Sequence, residues 1–350
     1  MSDTVTVALD AMGGDDAPGV IIEGTRLARE RYPNLQYLIF GDESQLRPAV
    51  AAVSDLGDCC EIVHTDAVID GSMQPSQALR RGRDSSMARA IQSVKEGRAS
   101  VAVSAGNTGA LMALAKFTLR MMPGIDRPAL VSLIPTARGD CAMLDLGANV
   151  ECSDENLVQF AVMGAAYARI VSGLTRPKVA LLNIGTEDLK GNEEIKSAAE
   201  RLREAEAHFE FTGFVEGSDI GKGAADVIVT DGFTGNVALK TAEGTAVLIT
   251  ELLRRAFRNS PLSMLGYALS RGALRSLRDH LDPNTHNGGM FLGLNGLVVK
   301  SHGSANAAGF ASAIGVAKDL AEGRLLDLIA EDLAVFAGEV AVDTEAVASP

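Results

Sequence analysis

Six glycine-rich loops of this 350-residue chain carry the side chains best suited to binding an anion. They read DAMGGD, SAGNTGA, LGAN, NIGTEDLKGN, DGFTGN and KSHGSAN, at residues 10–15, 104–110, 146–149, 183–192, 231–236 and 300–306. Glycine is common where a strand turns into a helix, so each loop alone has an ordinary explanation. Together, however, they place polar side chains where helix N-termini would present free amides, and such termini bind anions. The side chains concerned are Ser104, Asn107, Thr108, Asp231, Thr234, Asn236, Ser301, His302 and Ser304.

The sequence does not match the standard nucleotide-binding, catalytic and metal-binding motifs. Residues 217–223 have a lysine after glycine but lack the spacing and the Ser or Thr of a Walker A loop. Residues 221–226 approach GxGxxG but end in Asp and lead into a strand, which argues against a dinucleotide site. The sequence has no GxSxG elbow, and its histidines are too scattered for a metal cluster. We therefore expect no cofactor and no metal ion.

Three charged or titratable side chains in the glycine loops are candidates for direct chemistry. His302 is the only histidine embedded in a polar glycine loop, where the alternative is a structural hydrogen bond. Lys190 and Lys300 are candidates for anion contact, against the alternative of solvated surface lysines.

The elements that must position these loops follow an alternating pattern. Short β-branched runs at 5–9, 37–40, 101–104, 179–183, 227–230 and 297–299 predict buried strands. Apolar residues at three- and four-residue spacing predict helices over 86–95, 154–170, 193–207 and 236–257, with Ser153 capping the second. This pattern predicts a mostly parallel sheet covered by helices, whose ligands bind at the carboxyl ends of the strands. The six loops are thus expected to meet in one cleft.

Composition restricts the class of protein. With 47% hydrophobic residues the chain can bury a large core, and a net charge of -13 argues against non-specific binding to nucleic acid. Four isolated or adjacent cysteines, and an amino terminus without a basic and apolar leader, favour a reduced cytoplasmic setting. We expect one large α/β unit over 1–338, with two interwoven subdomains as the alternative, and a flexible tail over 339–350.

Residues 252–282 form a basic, leucine-rich segment in an otherwise acidic chain. A basic amphipathic segment is typical of a membrane surface or partner site. A solvated helical hairpin at a dimer edge is the alternative. The basic residues are Arg254, Arg255, Arg258, Arg271, Arg275 and Arg278. Arg80, Arg81 and Arg83 form a second, smaller basic cluster, for which the alternative interpretation is a plain exposed turn.

Taken as a set, these motifs resemble the bacterial phosphate acyltransferase (PlsX) family. The resemblance rests on DAMGGD, QALRRGRDSSM, VSAGNTGALMA, PGIDRP, LDLGANV, LLNIG…KGN, DGFTGNV and LGLNG…VVKSHGSA. It runs in the family's order from about residue 5 to 330. It implies an α/β/α sandwich like isocitrate and isopropylmalate dehydrogenases, with a large, mostly parallel mixed sheet, and a homodimer.

The resemblance also implies an activity: transfer of a long-chain acyl group from acyl carrier protein to inorganic phosphate. The acyl phosphate would serve a membrane glycerol-3-phosphate acyltransferase in phospholipid synthesis, with the enzyme held peripherally at the cytoplasmic face of the membrane. Phosphate is itself a nucleophile and a thiolate is a good leaving group, so neither a catalytic serine nor a metal is needed. The alternatives are a phosphotransacetylase-like enzyme that uses acyl-coenzyme A, and a non-catalytic membrane scaffold.

On this interpretation the catalytic candidates are Lys190, Asn236 and His302. The first two would orient phosphate or stabilise the oxyanion, and His302 would bind or protonate the leaving sulfur. The candidates for binding phosphate and thioester are Asp10, Gly13, Gly14, Ser104, Gly106, Asn107, Thr108, Gly109, Asn149, Asp231, Gly232, Lys300, Ser301 and Ser304. The arginines of 252–282 would bind acyl carrier protein or membrane.

Overall fold

The computed structural model describes residues 4–53, 56–205, 207–282, 284–285 and 287–347. The side chains of residues 276, 278, 279, 281 and 337–347 lie outside the described set. Eleven strands within these ranges form one sheet in the order β3-β2-β1-β4-β11-β10-β5-β6-β9-β7-β8. The strands are β1 Thr6–Asp10, β2 Gln36–Gly41, β3 Cys60–His64, β4 Val101–Ser104, β5 Ala129–Thr136, β6 Gly139–Leu144, β7 Lys178–Leu182, β8 Glu210–Val215, β9 Val227–Val229, β10 Gly289–Leu292 and β11 Leu297–Lys300.

Twelve helices are found in the same ranges. They are α1 Gly19–Arg31, α2 Glu43–Ala51, α3 Pro75–Arg81, α4 Ser86–Lys95, α5 Thr108–Leu119, α6 Asp154–Val171, α7 Glu193–Glu204, α8 Gly217–Ile220, α9 Gly232–Phe257, α10 Pro261–Leu281, α11 Ala307–Glu322 and α12 Leu325–Val347.

The sheet is mixed, and helices cover both of its faces. Strands β1, β2, β3, β4 and β11 pair in parallel, as do β6, β7, β8 and β9, while β10 and β5 introduce the antiparallel pairs. Val7 and Leu9 belong to one buried cluster and Ala8 to another, because alternate residues of a strand point to opposite faces. The predicted three-layer α/β/α class is therefore confirmed.

Polar side chains start the helices that follow the strand ends. Asn107, Ser153, Asp231 and Asn306 each accept a backbone N–H from the first turn of α5, α6, α9 and α11. These contacts satisfy amides that have no partner inside the helix. The predicted cap at Ser153 is confirmed, and the Ser153 backbone amide in turn donates to the Asn156 side-chain oxygen.

Helices α9 and α10 pack against each other as a long hairpin. Helix α9 begins at Gly232, four residues before the predicted start, because Asp231 caps it. Helix α12 continues to Val347 through most of the predicted tail, and residues 348–350 lie outside the described set. No helix in the described part of the chain is both long and apolar enough to span a bilayer.

Candidate active site

The carboxyl ends of three neighbouring strands bring Asp10, Ser104 and Lys300 into register. In the parallel ladder β1-β4-β11, Asp10 pairs with Ser104, and Ser104 pairs with Lys300. The buried Asp10 carboxylate accepts hydrogen bonds from Ser104 Oγ and Ser86 Oγ, each at 2.6 Å. Burial raises the pKa of Asp10 above its ordinary value, although both serine hydroxyls oppose that shift. This cluster ties β1, β4 and the start of α4 together beneath the loops.

The first glycine pair lets these loops approach one another closely. A Cβ on Gly13 would lie 2.5 Å from Asp10 Oδ2 and 2.7 Å from the Gly106 amide nitrogen. Gly14 has a φ of 107°, which a side chain would strain. The Asp15 amide donates to the Gly303 carbonyl at 2.9 Å, so the loop at 10–15 is joined to the loop at 300–306.

Asn287 holds the loop that carries Lys300, Ser301 and His302. Its buried side chain donates from Nδ2 to Ser301 Oγ at 2.8 Å and accepts from the His302 amide at 2.9 Å. Ser301 is fully buried, and its amide donates to the Ser104 carbonyl at 2.9 Å. The buried Ser301 therefore anchors the loop to the protein interior, while His302 is exposed at the surface of the loop.

Lys300 is held in a partly buried position at the end of β11. Its ammonium donates to the Ser301 carbonyl. Burial, with a smaller contribution from the nearby charge of Lys240, lowers the pKa of Lys300 to about 8, while Asp15 and Asp10 oppose this shift. A bound anion beside this ammonium would favour its charged form, which burial disfavours.

One face of helix α9 supplies Asn236, Lys240 and Glu243. Asn236 Nδ2 donates to the Leu146 carbonyl at 3.2 Å. Glu243 Oε1 lies 3.4 Å from His302 Nε2, and Lys240 Nζ lies 2.7 Å from Glu243 Oε2. The contact with His302 contributes most to lowering the pKa of Glu243 to about 2. The carboxylate is thus ionised at neutral pH and can orient a histidine ring at the mouth of the site.

A second buried carboxylate, Asp145, shapes the loop at 146–149. It accepts backbone N–H groups from Leu130, Gly147, Ala148 and Asn149 at 2.7 to 3.2 Å. The predicted site residue Asn149 donates its amide group to Asp145 and to the Pro128 carbonyl, so both of its N–H bonds are used internally.

The start of helix α9 is pressed against this frame. A Cβ on Gly232 would lie 2.4 Å from the Asn149 carbonyl oxygen, and one on Gly235 would lie 1.9 Å from the Asp145 carbonyl oxygen. This close approach places Asn236 beside the loop at 146–149.

These parts surround a cavity of about 440 Å³. Its polar lining consists of the first turn of α5 with Thr108 and Gly109, of Lys240 and Lys300, and of Asn236 and His302. Its apolar lining consists of Met112, Leu130, Leu146, Leu239 and Phe291. A cavity lined by both cationic and apolar groups suits a ligand that joins an anion to a hydrocarbon chain. Among the described residues, no group of three or more His, Cys, Asp or Glu is placed to hold a metal ion.

Other predicted site residues lie away from this cavity. Lys190 is exposed in the loop after β7, and its carbonyl accepts the Asn183 side chain at 3.1 Å. Asp231 bonds the amide and hydroxyl of Thr234, and both line a separate cleft of about 1000 Å³ with Asn192. Ser304 is exposed and does not line the cavity. The side chain of Arg278 lies outside the described residues.

Four residues of the site were not singled out from the sequence. Lys240 and Glu243 follow Asn236 by one and two helical turns, and this spacing could have indicated them. Asn287 directly precedes a glycine pair, and Asp145 directly precedes the loop at 146–149. No local pattern indicates that either side chain forms hydrogen bonds between separate segments.

The sequence of this chain is similar to a described family and to curated phosphate acyltransferases. Residues 5–326 match a family model described as fatty acid synthesis protein. A phosphate acyltransferase of Parvibaculum lavamentivorans is 55% identical over 97% of this chain and 94% of its own. A phosphate acyltransferase of Paramagnetospirillum magneticum is 53% identical over 91% of each chain.

Solved structures of the same fold include a phosphotransacetylase from Streptococcus pyogenes. It superimposes with a TM-score of 0.58 over 92% of this chain and 94% of its own, at 17% identity. This likeness shows the fold alone, whereas the curated relatives share the sequence over nearly its whole length. The chain therefore belongs to the phosphate acyltransferase family and is an acyltransferase.

Proposed function

We propose that the enzyme transfers a long-chain acyl group from acyl carrier protein to inorganic phosphate, releasing acyl phosphate and the free carrier. The observation that carries this proposal is the cavity, which is lined by Lys240, Lys300 and the first turn of α5 together with Met112, Leu239 and Phe291. The cationic groups suit phosphate and the apolar groups suit the acyl chain.

The enzyme must position its two substrates for this reaction, and it has less need to activate the phosphate nucleophile. A phosphate oxygen attacks the thioester carbonyl carbon, a C–O bond forms, and the C–S bond breaks to give a thiolate. Asn236 stabilises the oxyanion of the tetrahedral intermediate, and Lys300 holds the phosphate. His302, oriented by Glu243, donates a proton to the departing sulfur.

The role proposed for Lys190 requires more than the arrangement in the single chain. Its loop follows β7, which is five strands from β11 in the sheet, a separation of about 24 Å at the usual spacing. Lys190 would therefore act only if its loop moves or if a second copy supplies it. A Lys190→Ala protein with full activity would remove this residue from the mechanism.

The direct test is to incubate the purified protein with palmitoyl acyl carrier protein, with and without phosphate, and to trap acyl phosphate with hydroxylamine. Phosphate-dependent hydroxamate is the expected product. Its absence would exclude the proposed reaction. Replacing the carrier with palmitoyl-coenzyme A tests the alternative donor, and a scaffold without activity would consume neither thioester.

The proposal extends to where the enzyme works. We propose a homodimer in the cytoplasm that contacts the inner membrane surface through the α9–α10 hairpin and passes acyl phosphate to a membrane glycerol-3-phosphate acyltransferase for phospholipid synthesis. In support, Leu262, Leu265 and Leu269 on α10 are 79%, 57% and 81% exposed and lie on one helical face. Arg271 and Arg275 continue this helix, a combination typical of interfacial segments.

A further inference from the structure

A second basic surface lies on α3, on α5 and on the residues that follow these two helices. We call it the α3–α5 basic surface, and it is defined by the exposed residues Arg80, Arg81, Arg83, Lys116 and Arg120 around Phe117. We infer that this surface docks the acidic acyl carrier protein and directs its thioester arm into the cavity. The inference rests on the proposed function and adds the place where the carrier binds.

The cations of this surface lack ion-pair partners among the described residues. In the described part of the chain, none of the five forms an ion pair with a carboxylate, whereas surface arginines such as Arg47, Arg203 and Arg324 do. A group of unpaired cations on a protein with net charge -13 creates a local positive field. Such a field attracts an acidic protein partner and fixes its orientation.

Phe117 gives the surface an anchoring side chain. It is 47% exposed, and the guanidinium groups of Arg83 and Arg120 lie 5.4 and 5.3 Å from its ring centroid. Beside it is a groove of about 340 Å³, whose lining includes Leu79, Leu114 and Arg89 and also the acidic Asp84 and Glu96. An exposed aromatic ring held between arginines, next to a groove, is the composition of a protein-protein hot spot.

One face of α5 leads from the cavity to this surface. Thr108 and Met112 line the cavity, Lys116 follows on the same four-residue spacing, and Arg120 directly follows the last residue of the helix. Lys116 lies only about 6 Å of helix rise beyond Met112. Along α9, the first arginine of the hairpin, Arg254, lies about 21 Å of helix rise beyond Lys240.

The start of α5 is fixed to α3, so the docking surface and the cavity move together. Asn107 Nδ2 donates to the Gly71 carbonyl at 2.6 Å, and a Cβ on Gly109 would lie 3.0 Å from Pro75 at the start of α3. A carrier bound on α3–α5 would therefore have a defined position relative to the reacting groups.

The test is a charge reversal with a matched control. Arg83→Glu/Arg120→Glu should raise the KM for palmitoyl acyl carrier protein by about tenfold or more, with kcat and the KM for palmitoyl-coenzyme A unchanged. The control Arg47→Glu/Arg324→Glu makes the same change in net charge at distant exposed sites and should leave both KM values within about twofold. Phe117→Ala should raise the KM for the carrier substrate without any change of charge.

Binding of fluorescently labelled holo acyl carrier protein, measured by fluorescence anisotropy, tests the inference independently of catalytic turnover. Unaltered protein and the control pair should bind equally, and Arg83→Glu/Arg120→Glu should bind at least about tenfold more weakly. Equal binding by all three proteins, or weakening only in Arg271→Glu/Arg275→Glu, would overturn the inference. Absence of acyl phosphate from the unaltered protein would instead defeat the proposed function.

Discussion

At the scale of single residues, the sequence indicated the loops that carry chemistry but not the side chains that hold them. His302 and Lys300 were expected in the site and line the cavity. Their loop is contacted by Asn287 and Glu243, and no motif marks these contacts. Helical spacing from Asn236 could have indicated Glu243 as a site residue. Local pattern could not predict that it meets His302, because contacts between distant segments depend on the tertiary fold.

The lowered pKa of Lys300 predicts a pH dependence of phosphate binding. Burial disfavours the ammonium, so the charge is present below about pH 8 and is lost as the pH rises through that value. Because inorganic phosphate is already mostly dianionic there, its KM should increase above about pH 8, by about tenfold per unit at the steepest. Measurement of the phosphate KM from pH 6.5 to 9.5 tests this.

The matched variant for this prediction is Lys300→Arg. Arginine keeps its charge throughout that range, so the rise in KM should disappear. A rise of equal size in both proteins would assign the titration to another group.

Glu243 is predicted to position His302 for proton donation to the leaving sulfur. His302→Ala should lower kcat by about a hundredfold, and Glu243→Gln by about tenfold, because the ring loses its carboxylate partner. The pH profile of kcat should change in Glu243→Gln, which a purely structural contact would not cause. Glu251→Gln, at an exposed position on the same helix, is the control and should behave as the unaltered enzyme.

At the scale of elements, the buried parallel strands were predictable and the antiparallel ones were not. Strands β1, β4 and β11 were predicted from continuous β-branched runs and form the base of the site. Strand β10, whose sequence is GMFL, has no β-branched residue, and its place between β11 and β5 depends on pairing rather than on its own pattern. The position of Lys190 was likewise not predictable from local pattern, because the order of the strands in the sheet decides which loops lie close together.

Close packing at the start of α9 predicts a position-specific effect of glycine replacement. In Gly235→Ala the new methyl group would meet the Asp145 carbonyl, so the helix start must shift and carry Asn236 with it. We expect a loss of about 1–3 kcal/mol in the free energy of unfolding, together with reduced activity. Thermal or urea denaturation measures the first.

The same helix offers its own control. A methyl group added at Gly244 would have nothing within 4 Å, so Gly244→Ala should stabilise α9 by about 0.5–1 kcal/mol and leave activity unchanged. Equal destabilisation by the two replacements would show that the contact at Gly235 is not the cause.

At the scale of the whole molecule, an acidic protein presents two basic surfaces on separate helices. The α9–α10 hairpin combines arginines with exposed leucines, whereas the α3–α5 basic surface combines arginines with one aromatic ring beside a groove. The first composition suits a lipid surface and the second suits a folded acidic protein. This division would let the enzyme receive its substrate from the carrier while it stays at the membrane.

The membrane assignment predicts the behaviour of a charge-reversed hairpin. Arg271→Glu/Arg275→Glu should reduce sedimentation with liposomes that contain anionic phospholipid, because cationic residues contribute about 1 kcal/mol each near such a surface. Turnover of the carrier substrate in solution should stay unchanged. Unaltered sedimentation would leave the hairpin as a solvated or dimer-forming element.

We propose that the acyl group is transferred to phosphate in the cavity around Lys300, and the formation of acyl phosphate is the measurement that decides this. Mass spectrometry should detect palmitoyl phosphate from palmitoyl acyl carrier protein and phosphate with the unaltered protein. Asn236→Ala and Lys300→Ala, shown to be folded by their melting curves, should each form it at least about a hundredfold more slowly. Undiminished formation by both folded variants would contradict the claim that this cavity is the site.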